Sequence, residues 1–325
     1  MSIGFGFGVA GFPVSSAGAF LEWIDLLEEH RADSVWFSER LVSPTPTLEP
    51  MAAMAVVAGR TRRLKFGMNA IVVSLRDPLV LAKECATLDF LSGGRLLPVF
   101  GVGDERAPEW RATNTDPRGR GARSDEALEI MRRLWSEDRV SFQGTHYHYT
   151  DATITPRPVQ QELPLWIGGS SDAAIRRTAR IGTGWLAGVQ TPAQVKPVVA
   201  AIKSALSEHG RTIDEDHYGA GFSFRFGSKD DEVVQRQATA LGRLPGMADP
   251  WSYVAAGKAG DIATWVNEYI DAGVSKFVLR PIATSDDDLA DQTVRFLQEV
   301  APRFSAAAAG GRGGGAPRTP ADRRK

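Results

Sequence analysis

The sequence predicts an α/β chain folded as one (β/α)8 TIM barrel with an insertion near its last strands, and three observations carry this expectation. Apolar runs of strand length alternate with segments of helical periodicity about eight times, which argues for βα units around a parallel sheet. The 325 residues suffice for one large barrel that buries roughly three quarters of its unfolded surface. Eight units in such a chain favour closure over an open doubly wound sheet, and place any site at the carboxyl ends of the strands.

Glycine and apolar residues alternate over residues 3–9, as a first strand would, and 17–29 follows as an amphipathic helix with Phe20, Ile24 and Leu27 on one face. Residues 34–37 form the second strand. A helix over 49–60 has Pro50 in its first turn, where the missing N–H is no loss, and 64–73 is a long apolar third strand. The helix over 78–91 stops at Gly93 and Gly94, which can take positive φ, and 95–100 is a short strand covered on both faces. Residues 104–121, rich in Arg, Asp, Pro and Gly, read as a long loop on the active side. A helix over 123–135 and a hairpin over 140–149 come next. Strand five at 163–167, a helix over 171–181, strand six at 184–187, a helix over 192–209 and strand seven at 218–226 follow. Residues 228–258 read as an insertion of helix and loop. A helix over 261–272, the eighth strand at 276–280 and a last helix over 286–300 complete the barrel, taken as residues 1–304. From residue 305 the chain has no branched apolar or aromatic residue, so 305–325 is expected to be a disordered low-complexity tail.

Composition narrows the function. With 38 basic and 39 acidic residues the formal charge is -1, so no global field favours nucleic acid or an anionic membrane, and a small-molecule substrate is the expectation. Cys85 is the only cysteine, which excludes an intrachain disulfide and cysteine-rich metal sites and fits a reducing, cytoplasmic location. The opening MSIGFGFGVAGF has no basic leader, and no segment approaches the roughly 18 apolar residues of a membrane span. His146 and His148 lie two apart in the hairpin, but no further ligand has suitable local spacing, so no metal is expected. No G-x-S-x-G turn supports serine hydrolysis.

Two segments carry chemistry. LDFLSGGRLLPVFGVGDE (88–105) reads as helix end, glycine stop, buried strand and glycine-rich turn closed by carboxylates. PLWIGGSS (164–171) puts two glycines and two hydroxyls at a strand-to-helix junction. Free N–H groups and the helix dipole at such a junction favour an anion such as phosphate, although a plain N-cap by Ser170 or Ser171 fits as well. Together the two loops suggest a phosphorylated cofactor. Trp36, Trp110, Trp166 and Trp185 lie near strand exits and either line a planar ligand or pack the core.

These segments, with DSVWFSER (33–40), RDPLVLAKECATLDF (76–90), EALEIMRRLW (126–135) and AGVSKFVLRP (272–281), resemble the bacterial luciferase-like family of flavin- and deazaflavin-dependent oxidoreductases. The resemblance covers roughly residues 3–304 and implies a barrel, a homodimer, and reduced FMN or coenzyme F420 at the strand carboxyl ends. It puts Gly103, Asp104 and Glu105 beside the ribityl or phosphate portion, and Gly168, Gly169 and Ser170 around the phosphate. Asp104 and Glu105 read equally as a helix-start acidic pair or a loop salt bridge. Asn69 and Ala70 match the position where the family often has a non-proline cis peptide beneath the cofactor ring.

One departure matters. Many deazaflavin-dependent dehydrogenases of this family carry an acidic residue and then histidine at the end of strand two, whereas this chain has Glu39 and Arg40. Arginine stays protonated and suits fixing an anion rather than exchanging a proton. Glu39 and Arg40 are the expected catalytic pair, with a rim salt bridge as the plain alternative. The first expectation is therefore a monooxygenase that takes reduced FMN from a separate flavin reductase and uses oxygen on a small organic substrate. A coenzyme F420-dependent hydride-transfer reductase or dehydrogenase is the second, and a noncatalytic flavin-binding protein the third.

Overall fold

The computed structural model describes residues 2–9, 14–244 and 247–305. The tail expected after residue 305 lies outside them. β1 (Gly4–Val9) leads to α1 (Ala17–Glu29), β2 (Ser34–Phe37) and α2 (Pro50–Arg60). The third barrel strand comes in two pieces, β3 (Lys65–Met68) and β4 (Ile71–Val72), interrupted at Asn69 and Ala70. A 3-10 turn (Val73–Leu75) precedes α3 (Pro78–Ser92), and the fourth strand is split at Pro98 into β5 (Leu96–Leu97) and β6 (Val99–Gly101). Proline has no N–H for the ladder, so the break falls there. α4 (Glu109–Ala112), α5 (Arg120–Ser136) and the antiparallel hairpin of β7 (Val140–Gln143) and β8 (His148–Ala152) follow. β9 (Trp166–Gly168), α6 (Asp172–Ile181), β10 (Gly184–Leu186) and α7 (Pro192–Glu208) make the fifth and sixth units. The seventh strand is again in two pieces, β11 (Tyr218–Ala220) and β12 (Ser223–Phe226), then α8 (Glu232–Gly242), a 3-10 turn (Pro250–Tyr253) and β13 (Val254–Gly257). α9 (Ala259–Asp271), β14 (Lys276–Pro281), α10 (Asp286–Arg295), a π-helical turn (Phe296–Val300) and α11 (Pro302–Ser305) close the described chain.

The register closes a ring. β1 pairs with β14 and β2, β2 with β3, β3 with β5, and β4 with β6, all parallel. From β6 the order continues through β9, β10 and β11 back to β14, again parallel throughout. Because β3 with β4, and β5 with β6, are single strands interrupted by one or two residues, the two ends of the sheet meet. The (β/α)8 expectation holds, with two corrections. The segment expected as loop over 104–121 contains the short helix α4 and the start of α5, and the insertion contains the strand β13, parallel to β12. VAAG has no branched residue after its first position and no polar alternation, so it carries no strand signal. Among the described residues no helix is long and apolar enough to cross a membrane.

Most of the core lies between the ring and its helices, where Phe5 and Phe7 of β1 point outward to Phe296. The interior of the ring holds a second, smaller cluster of Trp36, Val99, Trp166, Leu186 and Val278. Its two indoles fit because glycines flank them. A Cβ at Gly67 would come within 2.8 Å of Trp36 Cζ3, one at Gly6 within 2.6 Å of Trp36 Nε1, and one at Gly184 would overlap the Trp166 ring. At the other end of the packing scale, the buried Arg95 has no carboxylate partner among the described residues. Its guanidinium donates to the carbonyls of Ala58, Thr61 and Leu64, gathering the orphan acceptors past the end of α2.

Gly184→Ala is expected to lower the unfolding free energy by about 1–3 kcal/mol, the usual cost of overpacking a tight core. Trp166→Phe in the same chain should restore part of it. Urea denaturation checks both, and an undiminished midpoint for Gly184→Ala would show that the indole has room to move.

Candidate active site

Strand side chains alternate, so the residue two places beyond a plug residue stands one layer higher on the same interior face. Beyond Val99, Trp166 and Leu186 these are Gly101, Gly168 and Gly188, beyond Trp36 it is Ser38, and beyond Val278 it is Arg280. The layer above the indoles is therefore floored with glycine. Cβ atoms on Gly101 and Gly168 would each lie 3.6 Å from the Cβ of Ala70, and nothing stands within 4 Å of one on Gly188. Ala70 follows the cis peptide bond Asn69–Ala70 and occupies the same mouth. A floor of this kind accepts a flat ring that side chains would exclude.

Two loops rise from this floor, and a tryptophan braces each. Gly103, at φ 70°, passes beneath Val72 and Trp110, and Trp110 Nε1 donates to the Asp104 carbonyl at 2.7 Å. Gly169, at φ 105°, offers its carbonyl to Trp185 Nε1, also at 2.7 Å. Trp36 and Trp166 instead fill the barrel beneath. All four indoles thus pack in the protein.

Ser171, not Ser170, caps α6, accepting from the Ala174 N–H at 3.3 Å. Ser170 is exposed beside it. The Asp172 and Ala173 N–H groups, in the first turn, have no carbonyl to meet within the helix and remain for an anion. Asp125 ties α6 to α5 through Arg177 at 2.9 Å and Arg180 at 2.8 Å. Asp104 Oδ1 accepts from the Arg106 N–H at 2.9 Å, closing a turn, while Oδ2 has no partner among the described residues. Glu105 pairs with Arg120 at 3.2 Å.

Glu39 is fully engaged. Its Oε2 accepts from the Val72 N–H at 2.8 Å, and its Oε1 from both Nε and Nη2 of Arg76 at 3.1 and 2.7 Å. Arg76 also holds Glu49 at 2.6 Å. With its side chain 2% exposed, Glu39 is held by burial above the ordinary carboxyl range, more than the Val72 N–H and Arg76 pull it back. Arg40, the other half of the expected pair, is exposed and has no hydrogen-bond or ion-pair partner among the described residues. The structure thus separates the two: one anchors the strand beyond Ala70, the other is free at the rim.

Sequence reasoning missed Arg76, Arg280 and Tyr253. Arg280 was reachable by counting alternate residues in FVLRP, whereas Arg76 and Tyr253 gain their meaning only from partners far along the chain. Among the described residues the one histidine and carboxylate group compact enough for a metal is Asp214, Asp216 and His217, within 4.8 Å. It precedes β11, at the end of the barrel opposite the mouth, and His146 and His148 take no part in it.

The family model for luciferase-like monooxygenases matches residues 6–301. The chain belongs to that family. Within it, an F420-dependent glucose-6-phosphate dehydrogenase of Kineococcus radiotolerans is 28% identical over 286 residues, covering 77% of this chain and 83% of the relative. The monooxygenase RslO1 from Streptomyces bottropensis superposes with a TM-score of 0.81 at 22% identity, over 94% of this chain and all of that one. An F420-dependent secondary alcohol dehydrogenase in complex with an F420-acetone adduct also gives 0.81, at 18% identity, over 94% and 99%. These luciferase-like structures share the barrel, and the family is one of oxidoreductases.

Gly168→Ala tests the floor. Its Cβ would make only ordinary contact at 3.6 Å, so the melting temperature should hold while affinity for a flavin or deazaflavin falls by at least about tenfold, equivalent to 1.4 kcal/mol. Unchanged affinity in an anaerobic titration would place the ring elsewhere.

Proposed function

We propose that this chain is a coenzyme F420-dependent oxidoreductase that transfers a hydride between the deazaflavin and a small organic substrate. This reverses the order drawn from sequence, where a reduced-FMN monooxygenase came first. The observation that carries it is the match to an F420-dependent dehydrogenase along 83% of that relative's length, joined to a glycine-floored mouth whose Cβ positions a flat ring would occupy. Bound there, F420 supplies a carbon centre that accepts or donates hydride.

The chain's own residues do the rest. Asn69, Ala70, Gly101 and Gly168 support the ring, Gly103 flanks the ribityl chain, and Gly169, Ser170 and the start of α6 take the phosphate. Asp104 Oδ2, at the rim and unengaged, holds the proton of a substrate hydroxyl. Glu39 keeps the mouth in shape through Arg76 and Val72 instead of exchanging a proton. The absence of an acid and histidine pair at residues 39 and 40 favours, as a second reading, reduced FMN with oxygen and a separate flavin reductase. Expected outcomes separate the two. Anaerobic titration should show tight F420 binding and weaker FMN binding, and Asp104→Asn should lower kcat for hydride transfer about 10²- to 10⁴-fold with F420 affinity retained. Tight FMN binding with no F420 binding would overturn the reading.

We also propose a homodimer built on α2 and α3. Val56 of α2 and Val80, Phe90 and Leu91 of α3 are 46%, 54%, 52% and 61% exposed, and apolar side chains left at the surface of these two helices support this reading. Phe90→Glu with Leu91→Glu should halve the mass seen by size-exclusion chromatography with light scattering. A wild-type monomer would refute this face.

A further inference from the structure

The strand β13 reaches the mouth from outside the eight-stranded ring. It pairs with β12 at Val254 and Ser223, and β12 pairs on its other side with β14 at Ser223 and Arg280. Val254 and Arg280 thus stand in register across one strand, about 9–10 Å apart at two interstrand spacings. Tyr253, the residue before Val254, spans that gap. Its side chain is buried, at 1% exposure, and its hydroxyl accepts a hydrogen bond from Arg280 Nη1 at 2.9 Å.

Arg280 differs from the other arginines held in the protein. Arg76, Arg177 and Arg225 each pair with a carboxylate at 2.7–2.9 Å, and Arg95 is spent on carbonyls. No carboxylate among the described residues lies within ion-pair distance of Arg280, and its Nε and Nη2 have no acceptor there. Its side chain lies over Gly8, where a Cβ would stand 3.7 Å from Arg280 Cγ and 3.8 Å from Nε. The missing side chain on β1 leaves the guanidinium room at the mouth. A half-buried guanidinium fixed by one bond, with the rest of its fork open, is a donor set for a planar or tetrahedral oxyanion.

We infer that Arg280 recognises a carboxylate or phosphate group on the substrate and that Tyr253 is the positioning residue that aims it, so that the inserted segment 228–258 selects the substrate class. The word substrate rests on the oxidoreductase reading above; the anion site itself does not.

The test is calorimetric titration with inorganic phosphate and, separately, acetate. It is run on F420-loaded protein and on Gly169→Asp protein, in which the cofactor's own phosphate seat is blocked. One anion site is expected in both. Tyr253→Phe, which keeps the ring and should keep the melting temperature, weakens it about tenfold, as loss of one hydrogen bond to a charged group does. Arg280→Gln abolishes it, and F420 affinity stays unchanged in both variants. Wild-type anion affinity in Tyr253→Phe with loss in Arg280→Gln would overturn the positioning role. Binding of neither anion by the unsubstituted mouth, or equal binding by all three proteins, would overturn the anion site. If F420 does not bind while the Gly169→Asp titrations behave as expected, the cofactor reading falls and this one stands.

Discussion

Two buried indoles occupy a ring of eight strands, and everything above them follows from how they are accommodated. Trp36 and Trp166 fit only because Gly6, Gly67 and Gly184 on adjacent strands bring no side chain inward. Large residues are thereby concentrated in one layer, and the next layer can be left to Gly101, Gly168 and Gly188 without a void beneath it. A close-packed interior tolerates neither gaps nor excess volume, so the flat floor of the mouth is the complement of the filled layer below. The tryptophans make the site by taking up the space that the site must not share.

The rim is organised by charge in the opposite sense. One arginine, Arg76, gathers Glu39 and Glu49, and through Glu39 it fixes the backbone at Val72, where the third strand resumes. A buried carboxylate with every oxygen engaged is a strut, since breaking such a pair leaves an uncompensated charge. Arg280 has the reverse arrangement, a cation with one neutral partner. The mouth thus separates charges used to hold its walls from a charge left available, and neutral indole N–H bonds to the Asp104 and Gly169 carbonyls brace its two loops.

Where the chain's local order carries the signal, the sequence was legible. Alternation in GFGFGV revealed β1, Gly93 ended α3 in the left-handed conformation foreseen for it, and the strand-to-helix turn at IGGSS opens α6 as read. The cap stayed open between Ser170 and Ser171 because the two are chemically equal, and only the backbone decides that Ser171 faces the Ala174 N–H. The coupling of Glu39 to Arg76 spans 37 positions and that of Tyr253 to Arg280 spans 27, and neither distance is a period of any helix or strand. β13 escaped because its four residues are small, and its strand character comes from the edge of β12 that it covers.

That covering has an evolutionary reading. The ring is complete without β13, since β11 already pairs with β10 and β14 on either side. The segment between β12 and α9 can therefore lengthen, shorten or be rebuilt while the hydrogen-bonded circuit and the glycine floor stay intact. Drift in substrate preference and retention of the cofactor are decoupled by architecture, and a descendant could change what it acts upon without first surviving a loss of stability.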